Sequence, residues 1–382
     1  MGALKQVVYI SWMPLSEKVE RDWYISHLQE QGVQVAYWDV TGLLLGERNV
    51  GAGLPRDYGV VVQSYEHLER LLAATDPART NFVITVNYER RFNRLYRLLN
   101  RHGCRLFFFE WGNFPIKDRS KARKYGELLR SPLKLLRLCA GKLKGGVESR
   151  LFPVKPFDVV FAAGFASLAM HPRGALNIPV NLCDYDNYKA IEQKQERLVA
   201  ERYCVFLDIN LAFQSDIKLV GWDYVDPASY AASLERFFDM VEERYGIEVV
   251  VAAHPKAAYG ETYFKRRALK GVTAELVRDA EFVISHHSTA ISYAVLWYKP
   301  LLFCYTQEME HVYRNTIVGW ISDFAEYLDQ PVFNVDRVAS PGEIEVRQPD
   351  IERYDLYKYN YLTTPDSEHR MTRDIFFDAV TA

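Results

Sequence analysis

Short apolar, β-branched runs that stop abruptly in polar residues recur along the whole chain. In the first half they fall at 7–11, 33–40, 58–63, 82–86, 105–110, 157–163 and 176–179. Near-continuous apolar runs of this length read as parallel strands buried on both faces. Between them, 16–31, 66–74 and 89–101 carry helical spacing, with Ser16 in an N-cap position ahead of Glu17 and Glu20. Strand–helix alternation of this kind predicts a doubly wound α/β sheet.

The pattern then starts afresh. A strand at 203–207 is followed by a helix over 227–245, opened by Asp226 and stopped by Gly246, with Phe237, Phe238 and Val241 at core spacing. A strand over 249–253 ends in His254-Pro255-Lys256. A short helix at 273–277 precedes the strand 282–285, which runs into His286-His287-Ser288-Thr289 and an apolar helix at 290–297. Lys299-Pro300 leads into a strand at 301–305. The tail carries Tyr354, Tyr357, Tyr359 and Tyr361 and then a final helix. The expected fold class is α/β with two Rossmann-like domains facing a cleft. The expected domains are 1–190, 191–345 and a tail, 346–382, packing back on the first domain.

In open α/β sheets ligands bind at the carboxyl ends of strands. His254 and the Ser288/Thr289 pair end two strands of the second half and are expected to hold one phosphorylated ligand. The helix starting near Ala290 would add free N–H groups. Lys256 adds a cation. Asp208, Asn210 and Gln214 follow the strand 203–207 and fit donor or acceptor contacts. His286 and His287 are adjacent and cannot both face one ligand; His287, nearer the hydroxyl pair, is the preferred contact. In the first half, Glu110 ends the strand 105–110 ahead of Trp111-Gly112. It occupies the seat of a general base, and equally that of a capping or salt-bridged carboxylate. The polar, aromatic run 184–188 fits an interdomain loop or a substrate contact.

Residues 116–144 change character. Ten Lys and Arg stand there against Asp118 and Glu127, with leucines at 128, 129, 133, 135, 136 and 138. This basic amphipathic stretch, within an insertion at 116–146, suits an anionic membrane surface, a lipid-linked anionic acceptor or a plain solvated helix. The net charge of −2 otherwise argues against nucleic acid as a partner. The 14% aromatic content suits sugar-handling surfaces and ordinary aromatic cores alike. Five cysteines without metal-ligand spacing predict free thiols in a reducing compartment and no metal centre. The amino-terminal apolar run is too short for a signal peptide, and no run approaches the ~18 residues of a membrane span. The expected location is the cytoplasm, including the inner face of the cytoplasmic membrane.

Glu110-Trp111-Gly112, His254-Pro255 and His287-Ser288-Thr289 together resemble the motifs of bacterial GT-B glycosyltransferases that use CMP-activated acidic sugars. These are the sialyltransferases and Kdo transferases of capsule and lipopolysaccharide synthesis. The segment 280–304 also resembles capsule-synthesis proteins and teichoic-acid glycerophosphotransferases. The resemblance spans about 100 residues of the second half and a few of the first. Trp111 departs from the family's acidic-acidic-Gly motif, and His171-Pro172 is a second His-Pro copy. The resemblance implies an inverting transfer of Kdo, sialic or another nonulosonic acid to a surface glycan or lipid-linked acceptor, without metal or cofactor beyond the donor. Glu110 would be the base and His254 the group stabilising the leaving phosphate. Lys256, Glu275, His287, Ser288, Thr289, Asp208 and Asn210 would bind the donor, Glu275 at its ribose. The alternatives are a UDP- or dTDP-sugar or CDP-glycerol donor, a sugar-nucleotide epimerase, and a non-catalytic glycan-assembly partner.

Overall fold

The computed structural model describes residues 6–46, 53–111, 113–117, 153–170, 175–194, 196–213, 223–258 and 263–382. The basic run from 118 to 144, Gly112, His171-Pro172 and Gln214 lie outside the described residues.

The chain divides into two compact units. The first comprises Met1–Trp111, Lys121–Cys183 and Thr364–Ala382; the second comprises Gly112–Ser120 and Asp184–Thr363. The expected tail thus divides, its last 19 residues (364–382) belonging to the first unit.

The first unit is built on β1 (Gln6–Ser11), β2 (Gln34–Asp39), β3 (Gly59–Val61), β4 (Thr80–Ile84), β5 (Arg105–Glu110), β6 (Val159–Ala163) and β7 (Leu176–Val180). They form one parallel sheet in the order β3-β2-β1-β4-β5-β6-β7. Its central strands are buried on both faces, which explains why they read as unbroken apolar runs. The final helix, Thr372–Thr381, covers part of this sheet. Phe376 packs on Phe109 and Phe161, and the Asn81 amide donates to the Val380 carbonyl at 2.6 Å.

The single helix expected over 16–31 is two: Glu17–Asp22 and Ile25–Glu30. Tyr24 between them is left-handed, with φ 57°. The Tyr9 hydroxyl donates at 2.7 Å to the Trp23 carbonyl, which a continuous helix would bond to His27. A core side chain thus takes the hydrogen bond that local propensity would have given the helix.

The second unit holds β8 (Tyr203–Leu207), β9 (Glu248–Ala253), β10 (Ala268–Lys270), β11 (Val283–Ser285), β12 (Leu301–Tyr305) and β13 (Val332–Asn334). These also form a parallel sheet, in the order β10-β9-β8-β11-β12-β13. The helix Pro227–Tyr245 runs with the limits expected from sequence: Asp226 caps it through the Ser229 N–H, and Gly246, at φ 63°, closes it. The run 184–188 is not a loop but part of the helix Cys183–Ile191. Asp184 accepts the Ser292 hydroxyl at 2.7 Å, which docks this segment on the helix Ile291–Leu296. The stretch 306–334, without a clear pattern in sequence, adds the helices Gln307–Tyr313 and Ile317–Leu328 and the edge strand β13. Among the described residues, no helix is long and apolar enough to cross a membrane, and no cluster of His, Cys, Asp and Glu could hold a metal ion. Cys104, Cys204 and Cys304 are buried free thiols, and Cys183 is exposed.

Candidate functional site

The second sheet is wound outward from β8, first to β9 and β10 and then back past β8 to β11, β12 and β13. The winding reverses between β8 and β11. The carboxyl ends of those strands flank the crevice where α/β sheets bind ligands. Asp208, Asn210, His254 and the run Ser285–Thr289 all follow β8, β9 or β11 at this edge, so topology alone brings them to one end of the sheet.

Asp208 stitches two of the strand ends together. It is 5% exposed. One carboxylate oxygen accepts the Asn210 N–H at 2.9 Å and the other the His254 N–H at 3.4 Å. Asn210 turns the chain out of β8 in the left-handed region, φ 54°, which asparagine tolerates better than most residues. Directly after β9, the Nδ1 of His254 accepts the Lys256 N–H at 3.1 Å, and the His254 carbonyl accepts the Ala257 N–H at 2.8 Å. An Nδ1 that accepts carries no proton. The neutral ring therefore carries its proton on Nε2, as a donor. Lys256 is exposed.

The two histidines after β11 have different duties. His286 is fully buried, its Nδ1 2.6 Å from the Cys304 carbonyl and its Nε2 2.8 Å from the Tyr230 hydroxyl. The carbonyl requires a proton on Nδ1, so Nε2 accepts from Tyr230. Burial pushes this imidazole down to about 4. His287 packs edge-on against Trp320, with ring centroids 5.2 Å apart, and its Nδ1 is buried. Burial, with His286 alongside, holds it at about 4 as well. Both rings are neutral near pH 7, so neither supplies charge to a phosphate.

The helix after Thr289 does not offer the N–H groups expected of it. It spans six residues, Ile291–Leu296. The Ala290 N–H goes to the Ser288 hydroxyl oxygen at 3.2 Å and the Ile291 N–H to the Ser288 carbonyl at 3.3 Å. Ser292 and Tyr293 donate to the carbonyls of Thr289 and Ala290 at 3.1 Å each. Tight turns thus use the donors a phosphate would need. The Ser288 hydroxyl, accepting from Ala290, keeps its own proton to donate. Thr289 is exposed.

Glu275 lies in the first turn of the helix Thr273–Asp279 and pairs with Lys194 at 3.7 Å. Among the described residues, no hydrogen bond or ion pair joins it to the cluster above. Glu110 belongs to the first unit. It ends β5 opposite Ala162 of β6 and is half-buried. Trp111, the departure from the family motif, packs its ring on Phe109 (4.5 Å) and Trp23 (5.2 Å). That is an apolar role which a second acidic residue could not fill. In this sheet the winding reverses between β1 and β4, one strand away from Glu110. There the Ser11 and Thr85 hydroxyls meet at 2.9 Å, a pair that sequence reasoning missed. It also missed Ser285, Tyr230 and Trp320, the last two on helices distant in sequence.

His286 makes stability depend on pH. An imidazole with its pKa depressed by folding contributes fully above its unfolded value, ~6.5. Its contribution is lost as pH falls from there to about 4. The expected slope reaches about 1.4 kcal/mol per pH unit. Denaturant unfolding between pH 7.5 and 5 checks this. His287, held down alike, keeps its own share, so His286→Gln should lower the slope below pH 6.5 by about half, and profiles of equal slope would remove the assignment.

No protein-family model matches the chain, and no curated protein matches it. Among solved structures, a variant of the wall teichoic acid polymerase TagF is similar with a TM-score of 0.51 at 12% identity, over 98% of this chain and 88% of that one. MurG of Acinetobacter baumannii gives 0.42 at 10% identity, over 98% of this chain and 99% of that one. UDP-GlcNAc 2-epimerase of Methanocaldococcus jannaschii, solved with UDP-GlcNAc and UDP, gives 0.44 at 10% identity, over 92% and 98%. The TagF likeness is one of fold: two Rossmann-like α/β units.

Proposed function

We propose that the protein is a GT-B-type glycosyltransferase that binds a nucleotide-activated donor at the carboxyl edge of the second sheet. The acceptor is the hydroxyl of a glycan or lipid-linked glycan. The observation that carries this reading is the polar cluster where the winding of β8 and β11 reverses, with Asp208 tying the His254 loop to it. In the proposed reaction the acceptor hydroxyl attacks the anomeric carbon and Glu110 takes its proton. The bond to the donor phosphate breaks with inversion. The leaving phosphate's charge is met by the Nε2–H of His254, by Lys256 and by the Ser288 and Thr289 hydroxyls. The neutral histidines and the occupied N–H groups after Thr289 concentrate this duty on the His254 loop.

The donor we favour is a CMP-activated acidic sugar, on the motif resemblance. A CDP-linked polyol is the second reading, favoured by the fold shared with a teichoic acid polymerase. Release of free nucleotide from CMP-sialic acid, CMP-Kdo, UDP-GlcNAc, a dTDP-sugar and CDP-glycerol tests both. One CMP-sugar should be consumed, and Glu110→Gln should slow its consumption at least ~10-fold while leaving nucleotide affinity unchanged. Consumption of CDP-glycerol alone would select the second reading, and consumption of none would overturn the activity.

A further inference from the structure

Three buried polar atoms stand at the reversal of the second sheet without a hydrogen-bond partner among the described residues: Asn210 Oδ1, Ser285 Oγ and His287 Nδ1. Asn210 is 4% exposed and Ser285 fully buried. Ser285 lies opposite Leu207 in the β8–β11 register, so the three belong to adjacent strand ends. A buried polar atom left unpaired forfeits the hydrogen bonds it had with water, and native proteins leave few of them. Finding three at the ligand-binding end of one sheet calls for a common partner.

The chemistry of the three restricts that partner. Asn210 Oδ1 is an acceptor and requires a donor. Ser285 Oγ can donate or accept. His287 is neutral, its pKa held down by burial, so its Nδ1 also donates or accepts without bringing charge. A phosphate oxygen carries no proton for Asn210 and would lie near the Asp208 carboxylate, which already holds the Asn210 N–H. A hydroxyl both donates and accepts, and brings no charge into a buried place.

We infer that Asn210, Ser285 and His287 form a neutral floor that receives the hydroxyl-bearing part of the ligand, a sugar or polyol, and not its phosphate. This deepens the proposed function and rests on it for the nucleotide portion of the donor. The phosphate falls to the His254 loop, so the two chemical halves of the ligand are read by different strand ends. Ser285 becomes a specificity residue that sequence analysis had not singled out.

A physical signature separates this role from a structural one. An unpaired hydroxyl in a core destabilises the free protein, so Ser285→Ala should leave the melting temperature unchanged or raise it. Asn210→Gly keeps the left-handed turn without strain and removes the acceptor. Wild type and both variants would be titrated with the pairs CMP and CMP-sialic acid, CDP and CDP-glycerol, and UDP and UDP-GlcNAc. Free glycerol, N-acetylglucosamine and sialic acid would be followed by thermal shift. For the pair that binds, the sugar- or polyol-bearing member should bind wild type more tightly than its bare nucleotide. Each variant should lose about three- to tenfold of that excess and none of the nucleotide's own affinity. Nucleotide binding with the excess intact in both variants would overturn the floor, leave the donor site standing and assign the three atoms to buried water. If no nucleotide binds but a free sugar or polyol stabilises wild type and neither variant, the floor stands and the donor reading falls. No response to any probe overturns both.

Discussion

Arg266→Ala is expected to destabilise the second unit by about 3–5 kcal/mol, the usual cost of removing one partner of a buried ion pair. The Arg266 side chain is 8% exposed and meets Glu235, Asp239 and Glu242. These carboxylates follow one another by four and three residues along the helix Pro227–Tyr245, so they share one face and clamp a single guanidinium. Glu235 is 8% exposed, and it also accepts the Lys265 N–H at 3.0 Å. Without the arginine, a buried carboxylate remains beside two others. Denaturant unfolding measures the loss, and Arg266→Met with Glu235→Gln should recover part of it, because a neutral pair leaves no stranded charge. A loss below about 1 kcal/mol would show the clamp to be solvated in effect.

His254→Ala is expected to lower turnover by roughly 10²–10³-fold, the range for removing one donor from a developing negative charge. The alanine variant also strips the Lys256 N–H of its acceptor and loosens the loop. His254→Asn separates the two effects. An asparagine carbonyl can accept a backbone N–H two residues on, as Nδ1 does now, but offers no donor in the place of Nε2–H. The asparagine variant should keep the melting temperature and lose turnover nearly as fully as alanine, mainly in kcat. Full turnover in His254→Asn would make His254 a loop anchor and move the leaving-group role to Lys256 and Ser288.

Apart from the three-residue edge strands β10 and β13, the strands of both sheets could be read because parallel strands buried on two faces are nearly continuous apolar runs, and β1, β5, β8 and β9 are of this kind. What could not be read was decided by contacts across the fold. The break at Tyr24 depends on the hydroxyl of Tyr9, 14 residues upstream of the Trp23 carbonyl that it bonds. His286 and His287 are alike in sequence. One is set in the core by Tyr230 and the Cys304 carbonyl, from elements 56 and 18 residues away. The placing of His254 at the carboxyl edge of the second sheet was legible, because it directly follows a buried apolar strand. The tautomer that gives it a donor was not, because that rests on the turn closed by Lys256. The N–H groups after Thr289 were misjudged because a helix start in sequence does not disclose whether its first turn is tight enough to use its own donors. Ser285 carries no signal in sequence, since a serine ending a strand is ordinary until its hydroxyl is found buried and unpaired.

The most direct test of the donor site is calorimetric titration of wild type and His254→Asn with CMP, CDP, UMP, UDP and dTDP. One cytidine nucleotide should bind in preference to the others, about tenfold or more weakly in the variant, with Lys256 and Ser288 retaining the remainder. Absence of binding by all five, or equal affinity in wild type and variant, would contradict a donor site at the end of β9.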